Sequence, residues 1–297
     1  MNTHVDVIQR NAIESWTKLG KDITVILVGA EEGLGEVAEE LGVLHVKEVR
    51  TNVQGTPYIP DLFKIARENS DSPLLAFVNA DVILLPDFVE NAVQVSNHEG
   101  QFLLVGQRYD VEINERLVFD DDWDKSLRQR ALETGRLHGP SGSDYFIFPR
   151  YCFIEVPELV IGRAGWDNWM IYEARQRGWK TIDGTRAITV LHQNHDYSHL
   201  PGGKIHFRLP ESSENVQAAG GFLHIFPLTD ANWQIKQGEV VRRPLSWRSF
   251  WREIEIFPLT ALHSESLAKI FFYIAHPKRG WLALIGWIQR LFSRKLS

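Results

Sequence analysis

The sequence predicts an α/β protein whose mostly parallel central sheet is flanked by helices, because helix-like and strand-like segments alternate along its N-terminal part. Apolar residues recur at helical spacing over residues 5–19 and 34–41, and a glycine follows each stretch. Short apolar runs at residues 23–28 and 43–46 have the length of strands. The third observation is the run 74–78, whose Leu, Phe and Val content is typical of a strand buried on both faces.

Length, charge and cysteine content narrow the class of protein. A chain of 297 residues can hold one large domain, or a domain with an appendage. The net charge of −6 is mild and the basic residues are dispersed over most of the chain, which argues against a nucleic-acid binder with a broad basic surface. Cys152 is the single cysteine, so a reducing, cytoplasmic compartment is expected. We find no signal peptide and no run that is long and apolar enough to span a bilayer.

The remaining elements follow from the same periodicities. Further strands are predicted at residues 102–106, 145–148, 179–182 and 186–191, and further helices at residues 61–68, 166–177, 246–255, 264–276 and 277–295. The composition turns polar after residue 210 and aromatic and basic from residue 246. We therefore predict an α/β domain over residues 1–210, a small appendage over residues 211–245 and an amphipathic helical extension over residues 246–297.

The polar residues that follow the run 74–78 mark the first candidate site. Asp81 comes just beyond the predicted strand, and Pro86 suits the first turn of the next helix. Ligands of open α/β sheets bind beyond the carboxyl ends of the strands, and a carboxylate held there is suited to a divalent metal. Asp81 also fits a turn-capping residue, and this stretch alone leaves both interpretations open.

A second candidate is Asp167, in a stretch rich in glycine and tryptophan. Gly165 precedes it, and Trp166 and Trp169 lie on one face of the predicted helix. Asp is a favoured N-cap and tryptophans at helical spacing are typical of a core. The functional interpretation is a carboxylate base beside rings that stack on a sugar, with a pKa that burial raises.

Three histidines and one aspartate fall within residues 192–199, directly after a predicted strand. A histidine fixed by a strand end can bind a metal through its neutral imidazole. We favour this interpretation over a polar loop of hydrogen-bonded histidines. His192 is the first candidate ligand because the strand fixes it, and His195 and Asp196 follow.

The last predicted helix, residues 277–295, has an apolar face with basic residues at its ends. That pattern is typical of a helix lying in a membrane interface. A terminal helix docked on the protein itself explains the pattern nearly as well.

Taken together, these stretches resemble a glycosyltransferase of the GT-A fold, near the large family-2 group. The resemblance covers residues 5–200 and rests on the sequences QRNAI with Ser15-Trp16, Gly55-Thr56-Pro57, Asn79-Ala80-Asp81 and GWDNW, followed by His192. It implies transfer of a sugar from a nucleoside-diphosphate sugar to a hydroxyl of a glycan or lipid-linked acceptor. It also implies a divalent metal, Mn²⁺ or Mg²⁺, and a place in polysaccharide or glycolipid synthesis, peripheral to the inner face of the cell membrane.

The resemblance assigns roles to individual residues. Asp81 and His192 are the implied metal ligands, and Asp167 is the implied base, which would invert the anomeric centre. The implied nucleotide-sugar contacts are Gln9, Asn11, Gly29, Glu31, Gly55, Thr56, Asn79 and Ala80. The predicted acceptor contacts are Asp144, Trp166, Asn168, Trp169 and His195.

The sequence departs from the family pattern in two places. Asn79 stands where the family's Asp-x-Asp motif begins with a carboxylate, and no strand precedes the first predicted helix. Both departures favour the alternative of a GT-like module that binds sugars or partners without catalysis. A sugar-phosphate nucleotidyltransferase is disfavoured, because it would carry a glycine-rich and basic phosphate loop near the N-terminus and this sequence has none. A hydrolase built on His192, His195 and Asp196 is disfavoured because it would need further ligands on other strands, and no obvious ones are present.

Overall fold

A computed structural model describes residues 4–195 and 209–278 of the chain. Its helices are α1 His4–Thr17, α2 Leu34–Leu41, α3 Ile59–Glu68, α4 Asp87–His98, α5 Trp123–Thr134, α6 Trp166–Gln176, α7 Pro210–Ala218, α8 Trp247–Thr260 and α9 Glu265–Ala275. Its strands are β1 Ile26–Val28, β2 Leu44–Val46, β3 Leu74–Val78, β4 Val82–Leu84, β5 Phe102–Val105, β6 Tyr109–Val111, β7 Arg136–Leu137, β8 Tyr145–Pro149, β9 Lys180–Asp183, β10 Val190–Gln193, β11 Trp233–Lys236 and β12 Glu239–Arg242.

The protein is mixed α/β, and the prediction of a mostly parallel sheet is wrong. In the largest sheet the strand order is β12-β11-β9-β5-β8-β3. Strands β5, β9 and β11 are parallel, but β8 is antiparallel to both of its neighbours and β12 is antiparallel to β11. A second sheet, β4-β10-β6-β7, is also mixed, and β1 and β2 form a separate parallel pair. Helix–strand alternation predicts parallel pairing only between strands that a single crossover connects. Between β5 and β8 the chain instead forms β6, α5 and β7.

Strand β3 lies at an edge of the described sheet, whereas the sequence predicts a strand buried on both faces. Leu75 is buried but the next residue, Ala76, is exposed. The strand that fits the prediction is β5, since all four of its residues are fully buried. Apolar content therefore identified β3 as a strand without placing it in the sheet.

The N-terminal helix α1 is fastened to strand β4, which positions the residues around Asp81. The indole nitrogen of Trp16 donates to the carbonyl of Val82 over 2.9 Å. The hydroxyl of Ser15 accepts the backbone N–H of Leu84 over 3.1 Å. Strand β4 is thereby held on one side by the helix and on the other by β10.

The chain divides into two compact units, one with residues up to 174 and 179–243, the other with residues 175–178 and those from 244 onward. In the second unit the predicted helices begin at serine N-caps: Ser246 forms a capping box with Ser249, and the hydroxyl of Ser264 accepts the N–H of Leu267. The predicted boundaries at residues 210 and 245 remain predictions. Apart from its first two residues, the predicted helix 277–295 lies outside the described residues. Within the described ranges no helix is long and apolar enough to cross a membrane.

Candidate functional site

Strand pairing brings Asp81, Asp110 and His192 together from three separate parts of the chain. Strand β10 lies between β4 and β6, antiparallel to the first and parallel to the second. In this register His192 pairs with Val82 and with Asp110. The carbonyl of Asp81 accepts the backbone N–H of Gln193 over 3.1 Å, so the turn after β3 is tied to the end of β10. The polar residues at these strand ends therefore share one edge.

Three side chains form a cluster with the donor set of a metal site. Asp81 Oδ2 lies 3.3 Å from His192 Nε2 and 3.1 Å from His195 Nε2. The candidate ligand atoms all fall within 4.8 Å of one another. The second oxygen, Asp81 Oδ1, is buried and has no hydrogen-bond partner among the described residues. A buried carboxylate oxygen without a partner is costly, and a cation between the three side chains would satisfy it. The residues present therefore fit a divalent metal.

Asp110 supports this cluster from behind His192. Its Oδ1 lies 3.3 Å from His192 Nδ1, a charge contact that is not aligned as a hydrogen bond. A carboxylate on one ring nitrogen favours the tautomer whose other nitrogen, Nε2, is free to bind a metal. Burial lowers the pKa of His192, but Asp110 and Asp81 outweigh it and raise the pKa to about 9. A metal bound at Nε2 would therefore compete with a proton on His192.

The electrostatics keep Asp81 ionised. Burial would raise its pKa, but hydrogen bonds and charge from His192 and His195 outweigh burial and hold the pKa well below the ordinary value. The same balance lowers the pKa of Asp110, since His192, Arg108 and His138 all surround its carboxylate. Both carboxylates thus carry negative charge at neutral pH, as a metal ligand and its supporting residue require.

Arg108 connects the cluster to a buried carboxylate, Asp144. Its Nε donates to Asp110 Oδ1 over 2.8 Å and its Nη1 donates to Asp144 Oδ2. The other oxygen of Asp144 accepts the side-chain amide of Asn79 over 2.6 Å. Asp144 is 6 % exposed, so both of its oxygens are used inside the protein. Asn79, which takes the first place of the implied metal motif, is held by this contact beside Asp81.

The predicted base, Asp167, lies in the first turn of α6. Gly165, with φ of 106°, precedes it in the left-handed region that suits glycine, and its N–H faces Asp167 Oδ1 over 3.3 Å. Burial raises the pKa of Asp167 to about 6 and the negative charge of Asp144 adds to the rise, while backbone N–H groups oppose it. A carboxylate with this pKa is a competent proton acceptor at neutral pH.

A loop between β7 and β8 brings His138 beside Asp167. His138 Nδ1 lies 3.0 Å from Asp110 Oδ2. A Cβ added to Gly142 would lie 3.9 Å from His138 Nε2 and 4.0 Å from Asp167 Oδ2. The two side chains therefore flank the same glycine.

Several predicted nucleotide-sugar contacts have structural partners. Asn11 is fully buried: its amide donates to Gln193 and to the carbonyl of Glu115, and its oxygen accepts the N–H of Leu117. Thr56 belongs to another network, since its hydroxyl donates to Glu211 over 2.6 Å. The exposed members are Gln9, Glu31, Gly55 and Ala80, and Gly29 is buried. Their roles in nucleotide binding stay predictions.

The two predicted stacking tryptophans are core residues. Trp166 and Trp169 are each 4 % exposed. Trp166 packs on Phe77 and Phe146, and Trp169 on Phe153, so protein covers their rings. Asn168 donates to the carbonyl of Phe226 over 3.0 Å, and His195 Nε2 lies 3.1 Å from Asp81 Oδ2.

Sequence reasoning missed Asp110, Arg108 and His138. The available signal was the charged pair Arg108 and Asp110 at the start of β6, where the preceding strand is fully apolar. His138 carried no comparable signal, because its relation to Asp110 and Asp167 depends on contacts between distant parts of the chain.

No protein-family model matches the chain, and no curated protein matches it. Among solved structures, the chain is similar to the crystal structure of GalNAc-T7 with UDP, GalNAc and Mn²⁺, at 14 % sequence identity and a TM-score of 0.46. The match covers 88 % of this chain and 50 % of that one, so this chain spans about half the length of that protein. A similarity this weak carries no functional conclusion.

Proposed function

We propose that the protein is a metal-dependent glycosyltransferase that moves a sugar from a nucleoside-diphosphate sugar to a hydroxyl acceptor. The observation that carries the proposal is the cluster of Asp81, His192 and His195, in which Asp81 Oδ1 has no hydrogen-bond partner among the described residues. The cluster follows strand β3, where the sequence resemblance expects the diphosphate-binding metal. Three protein ligands leave coordination positions for the oxygens of a diphosphate.

Each residue then has a definite task. Asp81, His192 and His195 would hold the metal, and Asp110 would keep His192 oriented. When bound, the metal supplies positive charge to the leaving diphosphate. Because two of the three ligands are imidazoles, the set favours Mn²⁺ over Mg²⁺, which prefers oxygen donors.

Asp167 performs the proton transfer in this proposal. Its carboxylate takes the proton of the acceptor hydroxyl while the hydroxyl oxygen bonds to the anomeric carbon and the bond to the diphosphate oxygen breaks. A single displacement of this kind inverts the anomeric centre. The test is the proton–proton coupling of the anomeric hydrogen in the first-formed product, and a product with the donor's configuration would contradict a single displacement.

The experiment that tests donor and metal binding is a thermal-shift panel of UDP, GDP, CDP and dTDP, each with Mn²⁺, Mg²⁺ or EDTA. One diphosphate should raise Tm with Mn²⁺ and not with EDTA, since a ligand of the native state at 100 times its Kd adds about 2.7 kcal/mol. Asp81→Asn should abolish the shift, whereas Asp71→Asn, at an exposed position, should keep it. If no diphosphate shifts the wild type with any metal, the proposal is overturned.

A location at the inner face of the cell membrane belongs to the same proposal. Its support is the amphipathic pattern of residues 277–295, of which the structure describes only the first two. Sedimentation with vesicles of anionic phospholipid, for the full chain and for a chain ending at residue 276, would test it.

A further inference from the structure

The position of His138 gives it a defined tautomer. Its Nδ1 faces the ionised carboxylate of Asp110 over 3.0 Å. A carboxylate accepts hydrogen bonds only, so in the neutral ring the proton lies on Nδ1 and Nε2 keeps its lone pair. This Nε2 lies near Gly142, which Asp167 also approaches.

Gly142 leaves space between the two side chains. An added Cβ would lie 3.9 Å from His138 Nε2 and 4.0 Å from Asp167 Oδ2, so these atoms are at most about 8 Å apart, the sum of the two distances. In a diol with adjacent hydroxyls, the oxygen–oxygen distance plus one hydrogen bond at each end also spans up to about 8 Å. Two proton acceptors thus approach one point beside Gly142, at a separation that two adjacent O–H groups can bridge.

The loop around this gap is fixed at several points. The carbonyl of Pro140 accepts the N–H of Leu228 over 2.9 Å, and the carbonyl of Ser141 accepts the amide of Asn168 over 3.3 Å. The N–H of His138 is bonded to the carbonyl of Arg108 over 2.9 Å. The gap is therefore a property of the folded chain, held by contacts on both sides of Gly142.

We propose that Asp167 and His138 together bind the acceptor across Gly142 and select acceptors with two adjacent hydroxyls, as on a sugar ring. The nucleophilic hydroxyl gives its proton to Asp167 as its oxygen bonds to the anomeric carbon and the diphosphate leaves. The neighbouring hydroxyl keeps its proton and donates it in a hydrogen bond to His138 Nε2. This inference rests on the proposed function and adds a substrate class and an acceptor-binding residue to it.

Water is the probe that tests the pair without a known acceptor, because one water can take the place of each hydroxyl: the attacking water gives its proton to Asp167, and a second water donates a hydrogen bond to His138 Nε2. With Mn²⁺ and no added acceptor, the wild type is incubated with UDP-glucose, UDP-N-acetylgalactosamine and GDP-mannose, and release of free sugar is followed. Gly142→Ala has an ordinary backbone conformation and no contact shorter than 3.9 Å, so it should fold while its methyl group occupies the gap. Sugar release should fall at least tenfold.

Gly139→Ala is the matched control, because it lies in the same loop with nothing within 4 Å of its added Cβ. It should keep wild-type sugar release. His138→Asn, whose amide can still donate to Asp110 but which lacks Nε2, should lose sugar release about as much as Gly142→Ala. Both variants should keep the thermal shift with diphosphate and Mn²⁺.

The outcomes separate the two proposals. If diphosphate and Mn²⁺ bind but Gly142→Ala and His138→Asn release sugar like the wild type, the pair is overturned and the transferase proposal stands. Diphosphate binding without any sugar release from the wild type overturns the pair as well. If no diphosphate binds with any metal, the transferase proposal fails, and the inference fails with it.

Discussion

Asp81 and Asp167 are two carboxylates of neighbouring parts of the structure whose surroundings shift their pKa in opposite directions. Both are partly removed from bulk water, which raises the pKa of a carboxyl group. Around Asp81, two imidazoles outweigh that effect and the pKa falls. Around Asp167 no described cationic group compensates, the nearby Asp144 is negative, and the pKa rises to about 6. The difference in partners, more than the difference in burial, separates a group suited to hold a cation from a group suited to accept a proton.

Arg108 and Asp110 lie between these two regions. Asp110 contacts His192 on the metal side and His138 on the other, and Arg108 joins Asp110 to Asp144. The negative charge of Asp144 raises the pKa of Asp167, and the positive charge of Arg108 lies directly beside Asp144. The two regions are thus electrostatically connected, and variants on either side should give different phenotypes.

The largest effect is expected at the metal side. Asp81→Asn keeps the size of the side chain but removes the charge that His192 and His195 contact, so metal binding should be lost. Sugar transfer or donor hydrolysis should fall by about 10³-fold or more, because the leaving diphosphate loses its counter-charge. Initial rates at saturating Mn²⁺ measure the loss, with Asp71→Asn as the exposed control. A variant rate equal to that of the wild type at the same Mn²⁺ concentration would show that Asp81 is dispensable as a ligand.

Asp167→Asn should lower the rate by about 10²- to 10⁴-fold, since the proton acceptor is removed. Unlike Asp81→Asn, it should keep the thermal shift with diphosphate and Mn²⁺. Isothermal titration of the diphosphate into each variant separates the two effects. Equal loss of diphosphate binding in both variants would contradict the division of the site into a metal side and a base side.

The sequence predicted those parts of the site that a local pattern determines. An apolar run that ends in a polar residue predicts a strand end, and this pattern made Asp81 and His192 candidates; in the structure Asp81 follows β3, whereas His192 lies within β10. A glycine followed by an aspartate at the start of an amphipathic stretch identified Asp167. Each of these positions depends on residues within a few places along the chain.

The parts that were missed depend on strand order. Nothing near Asp110 in the sequence shows that β6 pairs with β10, and nothing near β3 shows that β8 lies antiparallel beside it. Pairing between distant segments is set by the whole sheet. The tryptophans of α6 show the converse, because their spacing was read correctly as a helix face, and only the packing on Phe77, Phe146 and Phe153 shows that the face is core.

Stability should also separate the two carboxylates. The pKa of Asp167 is higher in the folded protein than the usual 3.8, so the folded state binds the proton more tightly than the unfolded state. The stabilisation from this group is complete below about pH 4 and is lost as the pH rises through about 6. Asp167→Asn should therefore be more stable than the wild type at pH 8, on the order of 1 to 3 kcal/mol, and gain nothing at pH 4. Urea unfolding at both pH values measures this, and a gain that is equal at both would contradict the raised pKa.

The raised pKa of Asp167 should also determine how kcat/KM depends on pH in the acidic range. At saturating Mn²⁺, kcat/KM should fall about tenfold per pH unit below about pH 6, where Asp167 becomes protonated. The residual rate of Asp167→Asn should lack this limb. A wild-type limb that persists unchanged in the variant would assign the titration to another group.

The smallest effect concerns the connection through Arg108. Arg108→Met removes the cation beside Asp144, so the uncompensated carboxylate should disfavour charge on Asp167 and move the acidic limb of kcat/KM upward by about half a pH unit to one unit. Arg128→Met removes a comparable contact, with Asp87, and is the matched control whose limb should stay in place. A limb that moves equally in both variants would mean that general loosening of the fold, rather than the charge of Asp144, sets the pKa of Asp167. A limb that moves only with Arg108→Met would show that Arg108 tunes Asp167 through the charge of Asp144.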